Sequence, residues 1–567
     1  MIDLSRMQCL GEALRDALLT FKTNTALLEA DRHRQTAELD YTRLRQEAER
    51  VAGCLQREGF EPGDRCAILM SNQFKWVVSG IGAQWAGAVL VPLDYKLTAP
   101  ELLRLIAHAE PRVLVTEYHL YRDLRAADDA DLSGVRVLVT EAPPGVELGD
   151  AERWQQPAGA PFALRLRDRD DVACIVYSSG TGGRPKGCML THENYLSQAQ
   201  VLARMFPMEE DDRYFSILPT NHAIDFMCGT IIPFLYGAAV VHQRTLRAEF
   251  LAPTLRRYGV THIALVPRIM RNIEEKIREQ LDALPDWKRL MIDSAMGIND
   301  LVTQREPNHR LSRTLLKPLH EKFGGRLRMV FAGGAFVDPE LAEFFYRLGF
   351  PVAIGYGLTE ACTVITVNDL RPFRSTTVGK PVEGVEIELR DMDDEGVGEV
   401  YARGPTIMRG YLNEPELTAD TLVDGWLRTG DRGMIDASGH LRLRGRAKNM
   451  IVTAGGKNIY PEDVEVAFER VDCEELCVFA ADYLWPRGEL GGESLTLVVR
   501  PRKGQSEKDL REALLAANRG LADFKRVASV VLWHDEFPRT ASMKIKRELL
   551  AQAVRAQGAA DALREAS

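Results

Sequence analysis

Tyr177-Ser178-Ser179-Gly180-Thr181-Gly182-Gly183-Arg184-Pro185-Lys186-Gly187 follows an apolar run, Asp171 to Val176, that reads as a β-strand. The strand leads into a loop suited to an anion. Gly180, Gly182 and Gly183 let backbone amides approach closely, Ser178, Ser179 and Thr181 add hydroxyl donors, and Arg184 and Lys186 add positive charge. This is chemistry for a polyphosphate. It is not a Walker loop, which needs Gly-Lys-Ser/Thr after four intervening residues, nor a dinucleotide fingerprint. On composition alone the stretch also reads as a flexible Gly/Ser connection, so its surroundings must decide its meaning.

Upstream, strand-like runs alternate with helix-like runs: Arg65 to Met70, Gln73 to Gly87, Ala88 to Leu93, Ala99 to Ala109, Arg112 to Thr116. This βα rhythm predicts an α/β fold, a large layered N-terminal domain with a largely parallel sheet. Downstream, Ile263 to Val266, Arg328 to Phe331 and Val352 to Ile354 read as short buried strands ending at loops of small or polar residues, where such sheets bind ligands. From about Gly379 the rhythm changes to Gly-punctuated β segments, Val385 to Arg390, Gly398 to Arg403 and His440 to Arg444, as in a small β subdomain. Asp391, Asp393, Asp394 and Glu395 before Gly396 resemble a calcium loop only briefly, because Ala402 stands where the closing Glu belongs; an acidic hairpin turn is the better reading. Beyond Arg446, Pro461-Glu462-Asp463 and Ser506 start helices, and Ser494 to Arg500 and Ala528 to Trp533 read as strands. The last ~120 residues thus form a small α+β domain.

Composition sets the outer limits. A chain of 567 residues needs two or more domains. With 72 Lys plus Arg against 81 Asp plus Glu, the net charge of −9 argues against broad binding to nucleic acid or anionic lipid, so an anionic ligand needs a local basic pocket. Nine scattered cysteines form neither a zinc site nor a disulfide lattice, and the closest pair, Cys473 and Cys477, has no companions; a reducing cytoplasm is expected. Met1 to Leu19 carries Asp3, Arg6, Glu12, Arg15 and Asp16, unlike a signal peptide. Trp76 to Leu93 and Phe226 to Gln243 lack acidic or basic residues, but Gly and Pro interrupt both, which predicts a buried helix followed by a strand rather than a membrane span.

Five further segments follow the loop in order: Phe331-Ala332-Gly333-Gly334-Ala335, Gly355-Tyr356-Gly357-Leu358-Thr359-Glu360, Trp426-Leu427-Arg428-Thr429-Gly430-Asp431, Arg444-Gly445-Arg446-Ala447-Lys448 and Pro538-Arg539-Thr540-Ala541-Ser542-Met543-Lys544. Together with the loop they resemble the signatures of the adenylate-forming enzymes, which include acyl-CoA synthetases, luciferases and amino-acid adenylation domains. The resemblance implies an N-terminal AMP-binding domain over residues 1–445, a hinge at 446–448 and a C-terminal lid over 449–567. It also implies two steps: a carboxylate attacks the α-phosphate of ATP to give acyl-AMP and pyrophosphate, then a thiol displaces AMP.

The resemblance assigns roles residue by residue. Ser178, Ser179, Gly180, Thr181, Gly182, Gly183 and Lys186 would hold the phosphates, Lys544 would bridge the carboxylate and the α-phosphate, and Glu360 would bind Mg2+ with Thr181 and Thr359 on phosphate or metal-bound water. A hard cation holding few protein oxygens suits magnesium; the plainer alternative makes Thr359 a helix cap and Glu360 a helix-end acid. Tyr356 resembles the residue stacked on adenine, with Gly333, Gly334 and Ala335 on its other side and Gly357 beside it. Asp431 resembles the acid that accepts both ribose hydroxyls, and Arg446 the arginine that contacts ribose. Arg442, Arg444 and Arg446 alternate, so they are expected on one strand face, which more often faces solvent than a ligand. Lys448 falls at the hinge, and Gly455, Gly456 and Lys457 on the lid face that meets CoA or the phosphopantetheine of a carrier protein. His222, in Leu218-Pro219-Thr220-Asn221-His222, resembles the residue beside the acyl carboxylate.

Two positions depart from the pattern: Gly182 stands where a second Thr is common, and Met543 replaces the usual Gly before the lysine. Between Val266 and Phe331 a charged helical insertion, Ile269 to Leu284, Trp287 to Met296 and Leu311 to Phe323, resembles the long-chain fatty acyl-CoA synthetase branch. Asp225 is followed by Phe226-Met227-Cys228-Gly229 rather than the run that amino-acid activating domains carry. The expected partners are a medium- to long-chain fatty acid, ATP and CoA, with a carrier protein as rival acceptor and no nucleic acid; no transmembrane segment is expected, and peripheral membrane contact is left open. An inactive nucleotide- or acyl-binding homologue is the alternative.

Overall fold

A computed structural model describes residues 2–128, 130–154, 161–178, 186–244, 248–452, 458–485, 494–539, 545–557 and 561–562. The chain divides into two compact units, Met1–Ile387 with Ala402–Leu427, and Glu388–Tyr401 with Arg428–Ser567. The expected hinge at 446–448 lies within the second unit.

The first unit holds two sheets. In the nine-stranded one, Val352–Tyr356, Met329–Ala332, His262–Leu265, Arg213–Ser216, Ala239–Gln243 and Thr25–Asp31 run parallel in that spatial order. Antiparallel strands close both edges: Arg34–Asp40 beside Thr25–Asp31, and the two-residue strands Thr366–Val367 and Lys380–Pro381 beyond Val352–Tyr356. In the eight-stranded sheet, Val172–Ser178, Val89–Pro92, Arg65–Leu69, Val113–Glu117, Arg136–Thr140 and Glu152–Arg153 are parallel neighbours. The inner parallel strands are largely buried, which explains why they read as near-continuous apolar runs, whereas the edge strand Glu152–Arg153 is charged and open to solvent.

Local chemistry sets the helices between them. Ala99–Ala109 begins at a Thr98–Glu101 capping box, buries Leu102, Leu103, Leu105, Ile106 and Ala109, and ends at left-handed Glu110. Phe74–Trp85 is buried along nearly its whole length; a Cβ on Gly82 would stand 2.6 Å from Val51, so only glycine lets it pack on the helix Tyr41–Arg57. It is followed by the strand Val89–Pro92. The second suspect segment likewise forms helical turns, Ala223–Phe226, Met227–Ile231 and Ile232–Tyr236, and then the strand Ala239–Gln243. Among the described residues no helix is long and apolar enough to cross a membrane. All nine cysteines are free.

The insertion is helical as expected, with one break. Pro267–Asp282 and Asp286–Thr303 form, but the last expected helix splits into His309–Leu315 and Lys317–Lys322. Pro318 has no amide hydrogen for the preceding turn and its ring crowds the backbone before it, so the helix restarts with Pro in its first turn. Asp286–Thr303 buries Met296, Asn299 and Thr303 and exposes Trp287, Leu290, Met291, Ile298, Leu301 and Val302 on the other side.

The second unit contains a mixed sheet, Glu475–Ala480, Leu495–Arg500, Val527–Leu532 and Asp561–Ala562, with the middle pair parallel. The helices Pro461–Phe468 and Glu507–Arg519 bury Val464, Phe468, Leu510 and Leu514 in one core with Leu497 and Val499. Ser506 caps the second helix, accepting from the Asp509 amide. The acidic run ahead of Gly396 is a hairpin turn: Asp393 Oδ1 accepts from the amides of Glu395 and Val397.

Candidate active site

The phosphate-type loop is the connection of a β-hairpin. Val172–Ser178 pairs antiparallel with Lys186–Thr191, with Ser178 opposite Lys186 and Tyr177 opposite Gly187. Ser179, Gly180, Thr181, Gly182 and Gly183 lie outside the described residues, but both ends of the loop are fixed by strand pairing. Edge strand Gly410–Tyr411 extends the sheet, with Tyr411 opposite Cys188.

Glu360 is the point on which these elements converge. Its Oε1 accepts from Ser178 Oγ at 3.3 Å and from Tyr411 OH at 2.9 Å, and its carbonyl accepts from the Met408 amide at 2.8 Å. Lys186 Nζ stands 5.7 Å from the centre of the Tyr411 ring. Burial, then the neighbouring Glu360 charge, push the Tyr411 hydroxyl well above its usual range, which keeps it a donor. Sequence reasoning missed Tyr411. Glu360 and Thr359 lie in a single short turn, Thr359–Ala361, whose cap is Leu358 without a side-chain bond. Thr359 therefore does not cap it, while Glu360 is the acid of its first turn.

Gly333 is buried just past the strand Met329–Ala332, Gly334 and exposed Ala335 follow it, and Tyr356 ends the strand Val352–Tyr356 with little exposed surface. The next residue must be glycine: a Cβ on Gly357 would lie 1.8 Å from the Thr363 carbonyl oxygen. That approach turns the chain from Tyr356 into the turn bearing Glu360.

His222 caps the helix Ala223–Phe226, and its own amide donates to the Pro219 carbonyl at 2.8 Å. Asp225, one turn on, faces inward. Its Oδ2 accepts from Ser216 Oγ at 2.6 Å and its Oδ1 from Tyr214 OH at 3.4 Å. Complete burial raises its pKa to about 7 against the pull of those two hydroxyls. An acid so engaged is committed to the wall of the strand Arg213–Ser216.

In the second unit, Asp431 and Arg446 face each other across the ladder between Trp426–Ile435 and Leu441–Arg446. Arg446 Nε lies 2.8 Å from Asp431 Oδ1, and Arg446 Nη1 donates to the Thr429 carbonyl at 3.2 Å. The Asp431 amide donates to Thr429 Oγ1 at 3.1 Å. The expected arginine stripe is broken. The ladder slips between Arg432 and Gly433, leaving Arg444 as the extra residue of a β-bulge. Arg442 then stands opposite Met434 and Arg446 opposite Asp431, three residues apart on the partner strand, so Arg446 and Arg442 point to opposite faces. Lys448 is exposed in the turn Ala447–Asn449. Gly455, Gly456 and Lys457, and Met543 and Lys544, lie outside the described residues; Val452 pairs with Asn458, and Arg539 bridges Ile545, on either side of them.

Known proteins resemble this chain in sequence and in fold. A profile of the AMP-binding enzyme family matches residues 15–412. Over 562 residues the chain is 30% identical to 3-[(3aS,4S,7aS)-7a-methyl-1,5-dioxo-octahydro-1H-inden-4-yl]propanoyl:CoA ligase of Rhodococcus jostii (strain RHA1), across 95% of this chain and 97% of that one. It is 27% identical over 426 residues to the long-chain-fatty-acid–CoA ligase FadD15 of Mycobacterium bovis (strain ATCC BAA-935 / AF2122/97), across 72% of this chain and 69% of the relative. The fold matches the crystal structure of the anthranilate CoA ligase AuaEII in complex with anthranoyl-AMP, with a TM-score of 0.78 at 22% identity over 98% of this chain and 99% of that one.

Proposed function

The chain belongs to the AMP-binding enzyme family, and from that premise we propose that it joins a carboxylic acid to the thiol of CoA at the expense of ATP, as an AMP-forming acid–thiol ligase. The observation that carries this reading is the convergence on Glu360 of Ser178, from the phosphate hairpin, and Tyr411, with Lys186 over the Tyr411 ring.

A carboxylate and a triphosphate repel each other, and charge builds on the phosphate as they react, so the site needs placed cations and donors rather than a strong base. Lys186, with the amides and hydroxyls of Ser178, Ser179, Gly180, Thr181, Gly182 and Gly183, holds the phosphates. Lys544 has the role of bridging the acid and the α-phosphate, and His222 that of meeting the acyl carboxylate. Tyr356 and Gly357 flank the adenine with Gly333, Gly334 and Ala335, while Asp431 and Arg446 take the ribose. Glu360 fits magnesium: it offers one hard carboxylate, and its Oε1 is already steadied by two hydroxyls. Glu360, with Thr181 and Thr359 in the roles given them above, would hold a Mg2+ that neutralises phosphate charge. In the second step the lid, residues 449–567, turns about Lys448 and presents Gly455, Gly456 and Lys457 to the entering thiol.

The acid is a medium- to long-chain fatty acid. The helical insertion between Val266 and Phe331 supports this, as does similarity to a relative named for long-chain fatty acids. CoA is the acceptor, with a carrier-protein phosphopantetheine as the rival, and the reaction is placed in the cytoplasm. A panel of fatty, aryl and alicyclic acids, offered with CoA or a carrier protein and read by AMP release, tests the reading. Release with C8 to C18 acids and CoA supports it. Preference for aryl acids, or for the carrier protein, moves the assignment, and release with none shows an inactive homologue.

A further inference from the structure

Asn72 fastens the segment that carries His222. It follows the strand Arg65–Leu69 of the eight-stranded sheet, is almost fully buried, and reaches across to the end of Arg213–Ser216 in the other sheet. Its Nδ2 donates to the Leu218 carbonyl at 2.6 Å and to Ser216 Oγ at 3.1 Å, and its Oδ1 accepts from the Thr220 amide at 2.9 Å. One carboxamide therefore binds Leu218-Pro219-Thr220 by both a donor and an acceptor, directly ahead of His222. The residues on either side hold Asn72 in turn. The Ser71 amide and hydroxyl donate to Glu117 Oε1 at 2.7 and 2.6 Å, and Gln73 Nε2 donates to the same oxygen at 2.6 Å. Asn221 donates to Asp94, which follows the next strand of the same sheet, Val89–Pro92.

We propose that Asn72 is a positioning residue for acid activation: spanning the two sheets, it sets the Leu218–His222 segment so that His222 meets the acyl carboxylate. This rests on the role given to His222 above. A buried carboxamide with both functions satisfied and its neighbours anchored on a buried carboxylate has little freedom, which is what holding a reacting group in register demands. A donor-acceptor pair is needed, since Leu218 offers a carbonyl and Thr220 an amide. Leucine, aspartate or alanine each lack at least one partner.

The test is a cycle of Asn72→Ala, His222→Ala and the double variant. Acid-dependent exchange of pyrophosphate into ATP is followed, with KM for acid and for ATP separately, alongside CoA transfer from supplied acyl-AMP. Asn72→Asp, which keeps the volume and the Oδ1 acceptor but loses the donors, decides the matter if the alanine variant does not fold. The expected result is a loss of about tenfold in kcat/KM for the acid on Asn72→Ala, with KM for ATP and transfer from acyl-AMP within about twofold of the parent and little further loss in the His222→Ala background. An equal loss in both backgrounds, or one shared by ATP and by the transfer step, overturns the proposal and leaves Asn72 as a fold splint. If His222→Ala is itself silent, the assignment of His222 falls, and that of Asn72 with it.

Discussion

Glu360 holds two hydroxyl hydrogen bonds on one oxygen, so its carboxylate is oriented before any ligand arrives. Glu360→Gln keeps the shape and loses the charge; it should weaken magnesium-dependent turnover far more than ATP binding, measured as the magnesium titration of AMP release beside nucleotide affinity. Tyr411→Phe keeps the ring under Lys186 and removes one donor, so a smaller loss, about 1 kcal/mol or severalfold in the magnesium midpoint, should follow. If Tyr411→Phe matches the parent in that titration, the hydroxyl has no part in placing Glu360. Asp225 offers a pH test. Its folded pKa lies near 7, above the 3.8 of an unperturbed carboxyl, so the fold pays for its ionisation as pH rises from about 4 to about 7, up to a ceiling on the order of 4 kcal/mol. Asp225→Asn should gain melting temperature over the parent at pH 8 and little at pH 4, and an equal difference at both pH values contradicts the protonation assigned to it. At this scale the sequence disclosed the motif residues, because glycine, hydroxyl and charge clustered in one loop announce themselves. Tyr411 and Asn72 stayed hidden, since each gains its meaning only from a neighbour that the fold brings from far along the chain.

Turns and ladders carry much of the site's precision. Gly357 passes so close to Thr363 that Gly357→Ala should destabilise the first unit by more than about 3 kcal/mol or force the Glu360 turn to shift. Thermal melting with magnesium-dependent AMP release checks this, and a variant that melts and turns over like the parent would show that the turn yields freely. Helix and strand runs were legible from periodicity, as Ala99–Ala109, read to the residue, attests. Three features were not. Pairing of Ser178 with Lys186 is set by the register of a hairpin that reads in the sequence as a strand and a loop, the break before Pro318 by one missing amide, and the slip at Arg444 by a bulge that period-two reading assumes away.

For the whole chain the claim is a two-step ligase whose lid serves each step in turn. Lys544→Ala should abolish adenylation while largely sparing thioester formation from supplied acyl-AMP, and equal loss of both half-reactions would show the assigned role to be wrong. Lys448→Pro fixes φ near roughly −65° and removes a backbone donor, so lid rotation should be restricted. If the lid rests in the adenylating position, single-turnover acyl-AMP formation should survive while transfer to CoA falls by ~3 kcal/mol or more, at tenfold per ~1.36 kcal/mol. Unchanged transfer in a folded protein would place the hinge elsewhere. The α/β class and the small C-terminal α+β part were readable from the change of rhythm along the chain, whereas the strand order of the two large sheets depends on long-range pairing that no local pattern records. The most direct test of the central claim is acid-dependent exchange of labelled pyrophosphate into ATP, followed on the same preparation by addition of CoA and mass spectrometry of the product. Exchange should require both magnesium and a medium- or long-chain fatty acid, and acyl-CoA with stoichiometric AMP should form once CoA is added. Folded protein that exchanges no pyrophosphate with any acid, or that forms ADP in place of AMP, would contradict that claim.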